Sequence, residues 1–267
     1  MDDDDDLEIL VTNDDGIESP GFRALYDALA DVGRVTAVAP AVDQSAVGRA
    51  ISSTVDVEEH ELGYAIRGTP ADCVVAGLRA LLPNPDLVVA GCNKGANLGH
   101  YVLGRSGTVS AAVEAAFFDI PAIAASLYIP VDPDDDRAWT DVEVTFDQYE
   151  EAVRATAYLA EHALDAGVFE QADYLNVNAP APGTGPTELE ITRPSHMYDM
   201  DATVDDGIVS LHDRVWERMA AGDIPDPEGT DRRAVVEGRI SVSPLTAPHS
   251  TEHHEALDAL AEAYPDH

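Results

Sequence analysis

Two adjacent carboxylates, Asp14 and Asp15, stand in the stretch ILVTNDDGIESPG at residues 9–21, directly after an apolar run and directly before Gly16. Held side by side in a partly dry place, two carboxylates repel each other and stay ionised only with a cation close by. A hard divalent ion such as Mg²⁺ or Mn²⁺ takes oxygen ligands. Two further oxygen donors follow in suitable places: Ser45 in APAVDQSAVGR and Asn93 in GCNKGAN. Beyond them, Gly95 and Gly99 free the backbone around Asn97, and Ser106-Gly107-Thr108 opens a helix. Hydroxyls and free N–H groups at a helix start suit an anion such as phosphate. Acidic metal ligands facing a phosphate cradle suit phosphoester hydrolysis, in which the ion polarises the phosphoryl group and activates water, and helix amides take up charge in the transition state.

The elements that must position these residues are legible in the patterning. LEILVT (7–12), RVTAVAP (34–40) and DLVVAG (86–91) read as buried parallel strands. Ser19-Pro20 and Thr69-Pro70 each offer a cap and a first-turn proline, for helices over about 20–31 and 70–81. A helix from about Gly107, a strand in PAIAASL, an amphipathic helix in QYEEAVRATAYLAEHAL and a strand in DYLNVNAP complete the alternation. Strands alternating with helices predict a doubly wound α/β fold with a mostly parallel, Rossmann-like sheet. After about residue 183 the pattern changes: TELEITRP, DGIVSLH and GRISVSPL are strand-like, with no clear helix between them. A single unit over 7–267 is expected, with a core over 7–183, a β-rich arm over 184–240 used in oligomerisation, and a terminal strand and helix over 239–264. Residues 1–6 read as a solvated acidic tail. The tetrapeptide DDGI recurs at 205–208, but after the polar, irregular MYDMDATV, where it reads as a turn leading into a strand.

Composition sets the background. Fifty-one acids against 15 bases give a formal net charge of −36, and Lys94 is the only lysine. Such a balance reads as an adaptation to a salty solvent rather than as a site, and argues against a nucleic-acid polymer as partner. The 45% apolar content suits a globular core, and no apolar run approaches the roughly 18 residues needed to span a membrane. With no signal-peptide pattern and only Cys73 and Cys92, the cytoplasm is the expected compartment.

The motifs ILVTNDDGI…PG, VAP…S, GTPADCV, DLVVAGCNKGANLG and SGTVSAA, followed by LNVNAP and GTDRRAVVEGRISVSPL, resemble in order and spacing those of the SurE (survival protein E) nucleotidases, from Leu7 to about Leu245. That resemblance implies a metal-dependent phosphatase acting on nucleoside 5′- and 3′-monophosphates, with some members also cleaving short polyphosphate. It implies one divalent ion, Mg or Mn, held by Asp14, Asp15, Ser45 and Asn93, with Asp14 and Asp15 as the catalytic acids. It places phosphate at Asn97, Ser106, Gly107 and Thr108, and implies a homodimer or homotetramer built through exchanged C-terminal segments. Several positions depart from the family pattern. Ala41 and Val42 replace an acid and a base, Ala46 replaces a glycine, and LGHYVLGRSGT is one residue longer than the family's segment. His100 and Tyr101 therefore stand where acids are common, and Arg105 is added beside the phosphate motif, where it is expected to assist phosphate capture.

Other readings fit less well. A haloacid-dehalogenase-type phosphatase needs an aspartate nucleophile where Asn13 stands, and a receiver module needs one ending the third strand, where DLVVAGCN has none. A catalytically silent nucleotide-binding protein, or a phosphatase acting mainly on polyphosphate or other phosphomonoesters, keeps the same site. His253-His254 with Glu255 lacks HExxH spacing and reads as tail.

Overall fold

A computed structural model describes residues 6–82, 84–130, 142–183 and 188–247, together with 255, 258 and 260. Most of the acidic tail, the His253-His254 pair and most of the expected terminal helix lie outside the described residues.

A nine-stranded sheet forms the centre, and its order along the sheet is β3-β4-β2-β1-β5-β6-β7-β11-β8. The strands are β1 (Glu8–Thr12), β2 (Arg34–Pro40), β3 (Asp56–His60), β4 (Gly63–Arg67), β5 (Leu87–Lys94), β6 (Ala122–Leu127), β7 (Tyr174–Ala179), β8 (Leu189–Ile191) and β11 (Ile240–Leu245). From β4 through β2, β1, β5 and β6 to β7 every pairing is parallel. The antiparallel pairs are β3 with β4 and β11 with β7.

Successive side chains of a strand point to opposite faces, and the core divides accordingly. Ile9, Val11, Val89 and Ile123 pack on one face with α1 (Pro20–Leu29) and α5 (Glu150–His162). Leu10, Val88, Ala90 and Ala124 pack on the other with α2 (Pro70–Ala76) and α4 (Gly107–Ala116). The sheet is therefore wound on both faces, as the alternating pattern predicts. Ser19 caps α1, and Thr69 caps α2 in a reciprocal box with Asp72. The second helix turns into a wider π-type turn over Gly77–Leu81 instead of running straight to 81.

Three features differ from the sequence expectations. The hairpin β3–β4 was not legible, because DVEEH is an acidic, exposed edge strand without alternation of apolar residues. Two short helices, α6 (Arg214–Ala220) and α7 (Asp231–Val236), stand within the arm, where none was expected. Each presents only two buried apolar residues, Val215 and Met219 in α6 and Ala234 and Val235 in α7. MYDMDATV is not irregular in its second half: Met200–Asp205 is β9, paired with β10 (Ile208–Asp213). The second DDGI supplies the hairpin turn, with Asp206 and Gly207 both at positive φ, as a two-residue turn requires.

The arm is tied back to the core by α7. Asp231, fully buried, accepts from the backbone N–H of Gly99 at 2.6 Å, of Ser195 at 2.9 Å and of Arg232 at 2.8 Å. The Arg232 guanidinium, also fully buried, donates to the Met197 carbonyl at 3.0 Å and the Leu98 carbonyl at 3.3 Å. Asp231→Ala leaves three buried donors without an acceptor, so we expect a loss of roughly 3–5 kcal/mol in unfolding free energy. Denaturant unfolding at constant high salt measures it, with Asp231→Asn expected to lose less.

Candidate active site

The site lies at the carboxyl ends of β1, β2 and β5, where open α/β sheets receive ligands. The turn after β1 is braced from within: Asn13 Nδ2 donates to the Gly16 carbonyl at 2.8 Å and to Ser19 Oγ at 3.0 Å. Gly16 sits at φ +95°, and a Cβ there would come within 3.3 Å of the Val42 backbone, so the turn and the β2 loop can approach only with glycine. The loops are then joined by backbone bonds, Ile17 N–H to the Pro40 carbonyl at 2.9 Å and Gln44 N–H to the Asp14 carbonyl at 2.7 Å. This brings Ser45 toward the acids. Its hydroxyl and N–H both donate to Asp43 Oδ1, at 2.6 and 2.7 Å.

The start of α4 meets Asp14 directly. Thr108 donates its hydroxyl to Asp14 Oδ1 at 2.6 Å and its N–H to Asp14 Oδ2 at 3.1 Å. A Cβ on Gly107 would lie 2.8 Å from the Asp14 carboxylate, so this contact too depends on a glycine. Ser106 caps the helix by accepting from Val109 N–H at 3.1 Å. Asp15 accepts from the Lys94 N–H at 2.9 Å. Between Ala90 and Asn93 the register of β5 against β6 shifts, and such an irregularity re-aims the side chains beyond it. Asn93 spends its Nδ2 on the Gly95 carbonyl at 2.6 Å, which leaves Oδ1 as the amide atom able to ligate.

Asn97 is clamped by polar side chains from two buried strands. Its N–H donates to Asn178 Oδ1 at 2.7 Å, its carbonyl accepts from Asn176 Nδ2 at 2.8 Å and Asn178 Nδ2 at 3.2 Å, and its Nδ2 donates to Ser126 Oγ at 2.9 Å. An amide nitrogen carries two hydrogens, so one remains for a ligand.

One cavity of about 780 Å³ is lined by Asp14, Ser45, Asn93, Asn97 and Ser106, so the structure brings five of the sequence-predicted residues to a common wall. Asp15, Gly107 and Thr108 are not on that wall; the last two stand behind Asp14, and Thr108 has both donors committed to it. The same wall also holds Tyr101, Arg105, Tyr128, Asp213, Trp216 and Glu217. Tyr101 donates its hydroxyl to Asp213 Oδ2 at 2.5 Å, and the Arg105 guanidinium lies 5.2 Å from the Tyr101 ring centre. His100 is not on the wall and stacks on His196 at 4.3 Å.

The arm residues of this wall were missed, because α6 was not legible. The asparagine clamp left a signal that could have been read. Asn176 and Asn178 are two apart in a buried strand, so both amides face the same side and both demand partners.

The electrostatics fit a cation. Burial pushes the Asp14 carboxyl above the usual carboxylate range, with the charge of Asp43 adding to it and the Thr108 bonds opposing. Burial, then the neighbouring Asp14 charge, raises Asp15 to about 7. Among the described residues no group of three or more His, Cys, Asp or Glu side chains converges. The donor set is therefore two carboxylates with neutral oxygens such as Asn93 Oδ1 and Ser45 Oγ, chemistry that fits a hard divalent ion.

Fold and site together define a doubly wound α/β protein with paired acids at its strand ends set against a helix start. The family model described as Survival protein SurE matches residues 9–200, and the chain belongs to that family. It is 70% identical to the 5′-nucleotidase SurE of Haloarcula marismortui, over 98% of this chain and 97% of that one, and 64% identical to the 5′-nucleotidase SurE of Haloquadratum walsbyi, over 97% and 98%. The 5′-nucleotidase SurE of Methanothrix thermoacetophila is 38% identical over 89% of this chain and 92% of its own. The crystal structure of the SurE protein from Aquifex aeolicus superposes with a TM-score of 0.72 at 29% identity, covering 96% of this chain and 99% of that one.

Asp15 provides a test of the electrostatics. Its folded value lies above the unfolded 3.8, so without a cation its ionisation opposes folding, and its contribution to stability declines as pH rises from about 4 through about 7. A cation favours the ionised form, so binding expels a proton wherever the carboxyl is protonated. Calorimetric titration with Mn²⁺ in buffers of different ionisation enthalpy should show proton release at pH 6 that fades above about pH 8 and is reduced in Asp15→Asn.

Proposed function

We propose that this chain is a metal-dependent nucleotidase that hydrolyses nucleoside 5′-monophosphates, and 3′-monophosphates as well, to nucleoside and phosphate. The observation that carries the reading is one cavity lined both by Asp14, Asn93, Asn97 and Ser106 and by the aromatic side chains of Tyr101, Tyr128 and Trp216. The 5′-nucleotidase name borne by relatives at 62–70% identity over nearly the whole chain supports it.

In this reading Asp14, Asp15, Ser45 and Asn93 hold one Mg²⁺ or Mn²⁺ per subunit. When bound, the ion supplies Lewis-acid polarisation of the phosphoryl group and an acidified water. The remaining work belongs to the chain. Thr108 fixes the Asp14 carboxylate through both its oxygens, and Lys94 N–H fixes one oxygen of Asp15. Asn97 offers its free amide hydrogen to the phosphate, and Ser106, at the start of α4, lines the same wall. Thr108 serves the phosphate through Asp14. The aromatic side chains of the wall receive the nucleoside by stacking, and Arg105 draws the anion through a field of strong negative charge.

The same chain is proposed to act as one unit, assembled as a homodimer or homotetramer through its arm. Val204, Ile208, Val209 and Leu211 on the β9–β10 hairpin are between 58% and 73% exposed, more apolar surface than a lone hairpin stably leaves in water. A reducing cytoplasm suits two buried free cysteines, and no described helix is long and apolar enough to cross a membrane.

Phosphate release from nucleoside 5′- and 3′-monophosphates, other phosphomonoesters and short polyphosphate, with Mg²⁺ or Mn²⁺ in high salt, tests the reading. The expected result is turnover of the nucleotides, abolished by EDTA and lowered by at least about 100-fold in Asp14→Asn. Binding without turnover, or turnover of non-nucleotide phosphates alone, would contradict it.

A further inference from the structure

Lys94 is the one lysine in 267 residues; the other 14 bases are arginines. Arginine is this chain's general-purpose cation, as in the exposed pairs Arg23–Asp27, Arg67–Glu58 and Arg214–Asp201. The lysine stands directly after Asn93 at the end of β5, on the cavity wall shared by Asp14, Asn97 and Ser106. Its main chain is pinned to Asp15 by the 2.9 Å bond from its N–H, and its charge acts on the Asp15 carboxylate.

A phosphomonoester carries up to two negative charges into a cavity whose wall already holds Asp14, Asp213 and Glu217. Among the described lining residues, the cations opposing them are Lys94 and Arg105. Arg105 stands over aromatic rings, its guanidinium 5.2 and 6.0 Å from the ring centres of Tyr101 and Tyr198. Lys94 belongs to the acid end. The residue type matters there. An ammonium is a compact charge with three rotatable donors, able to follow phosphoryl oxygens as they change geometry, whereas a guanidinium is a rigid planar fork.

We propose that Lys94 is a substrate-contacting residue whose ammonium binds the phosphoryl oxygens of the nucleotide at the acid end of the cavity. This rests on reading that end as the phosphate site.

The single ε-amine makes a direct test available on the unaltered chain. An amine-acylating reagent is applied with Mn²⁺, with and without saturating inorganic phosphate, and labelling is followed by peptide mass spectrometry. Phosphate should slow acylation of Lys94 about tenfold without slowing that of the N-terminal amine, and the acylated protein should lose kcat/KM in step with labelling. Lys94→Met should lower kcat/KM and weaken inhibition by phosphate, each by roughly 10- to 100-fold, with Lys94→Arg recovering part of both. Labelling indifferent to phosphate, or unchanged kcat/KM and phosphate inhibition in Lys94→Met, would overturn the proposal. Should Lys94→Met fail to fold, the labelling of the native chain decides. Native turnover in Asp14→Asn would instead overturn the site reading and this assignment with it, whereas loss in Asp14→Asn alone would remove only the role of Lys94.

Discussion

Two neighbouring carboxylates, Asp14 mostly enclosed by the protein and Asp15 partly so, are an unfavourable arrangement that the rest of the molecule is built to sustain. Each is pushed toward protonation by desolvation, and the charge of Asp14 makes that of Asp15 more costly. What holds them in place is a set of donors that act only at short range: the hydroxyl and amide of Thr108 for one, the amide of Lys94 for the other. These bonds orient the acids without neutralising them. The remaining deficit of positive charge is what a bound cation would offset.

The architecture follows from that requirement. Parallel strands deliver β1, β2 and β5 side by side with their carboxyl ends aligned, so three separate loops converge without any one being long. Glycine is demanded where two loops or a helix and an acid must approach closely, at Gly16 and Gly107. Behind the first layer, strands β6 and β7 contribute Ser126, Asn176 and Asn178, which fix both the backbone and the amide of Asn97. The arm then closes the cavity. Its α6 supplies Trp216 and Glu217 to the wall, while Asp231 and Arg232 in α7 lock the arm to the loop that follows Asn97. A segment expected to join subunits thus lines the candidate site within one chain.

Much of this was legible in the residues. Strands buried on both faces read as continuous apolar runs, and Ser19-Pro20 and Thr69-Pro70 announced their helices, because those signals are local. The separation of the two DDGI copies was legible for the same reason: one follows a buried strand, the other a polar segment. Asp14, Ser45, Asn93, Asn97 and Ser106 could be expected to converge once the parallel order of the strands was assumed. The contact of Thr108 with Asp14 could not, since it joins residues 94 positions apart and depends on where the α4 axis points. The arm was the least legible part. Its helices are only 7 and 6 residues long, and they owe their stability to tertiary contacts such as those of Val215 and Met219 with Leu98, rather than to a periodic pattern. The acidic β3–β4 edge escaped notice because its polar face reflects the solvent more than the fold.

The central claim is that Asp14, Asp15 and Asn93 share one cation, with Ser45 completing the set. Anomalous diffraction from a crystal soaked in Mn²⁺ tests it most directly. The account requires one peak per chain with carboxylate oxygens of both acids and Asn93 Oδ1 about 2.0–2.3 Å away. A peak bound by other residues, or full occupancy with either acid turned away, would contradict it.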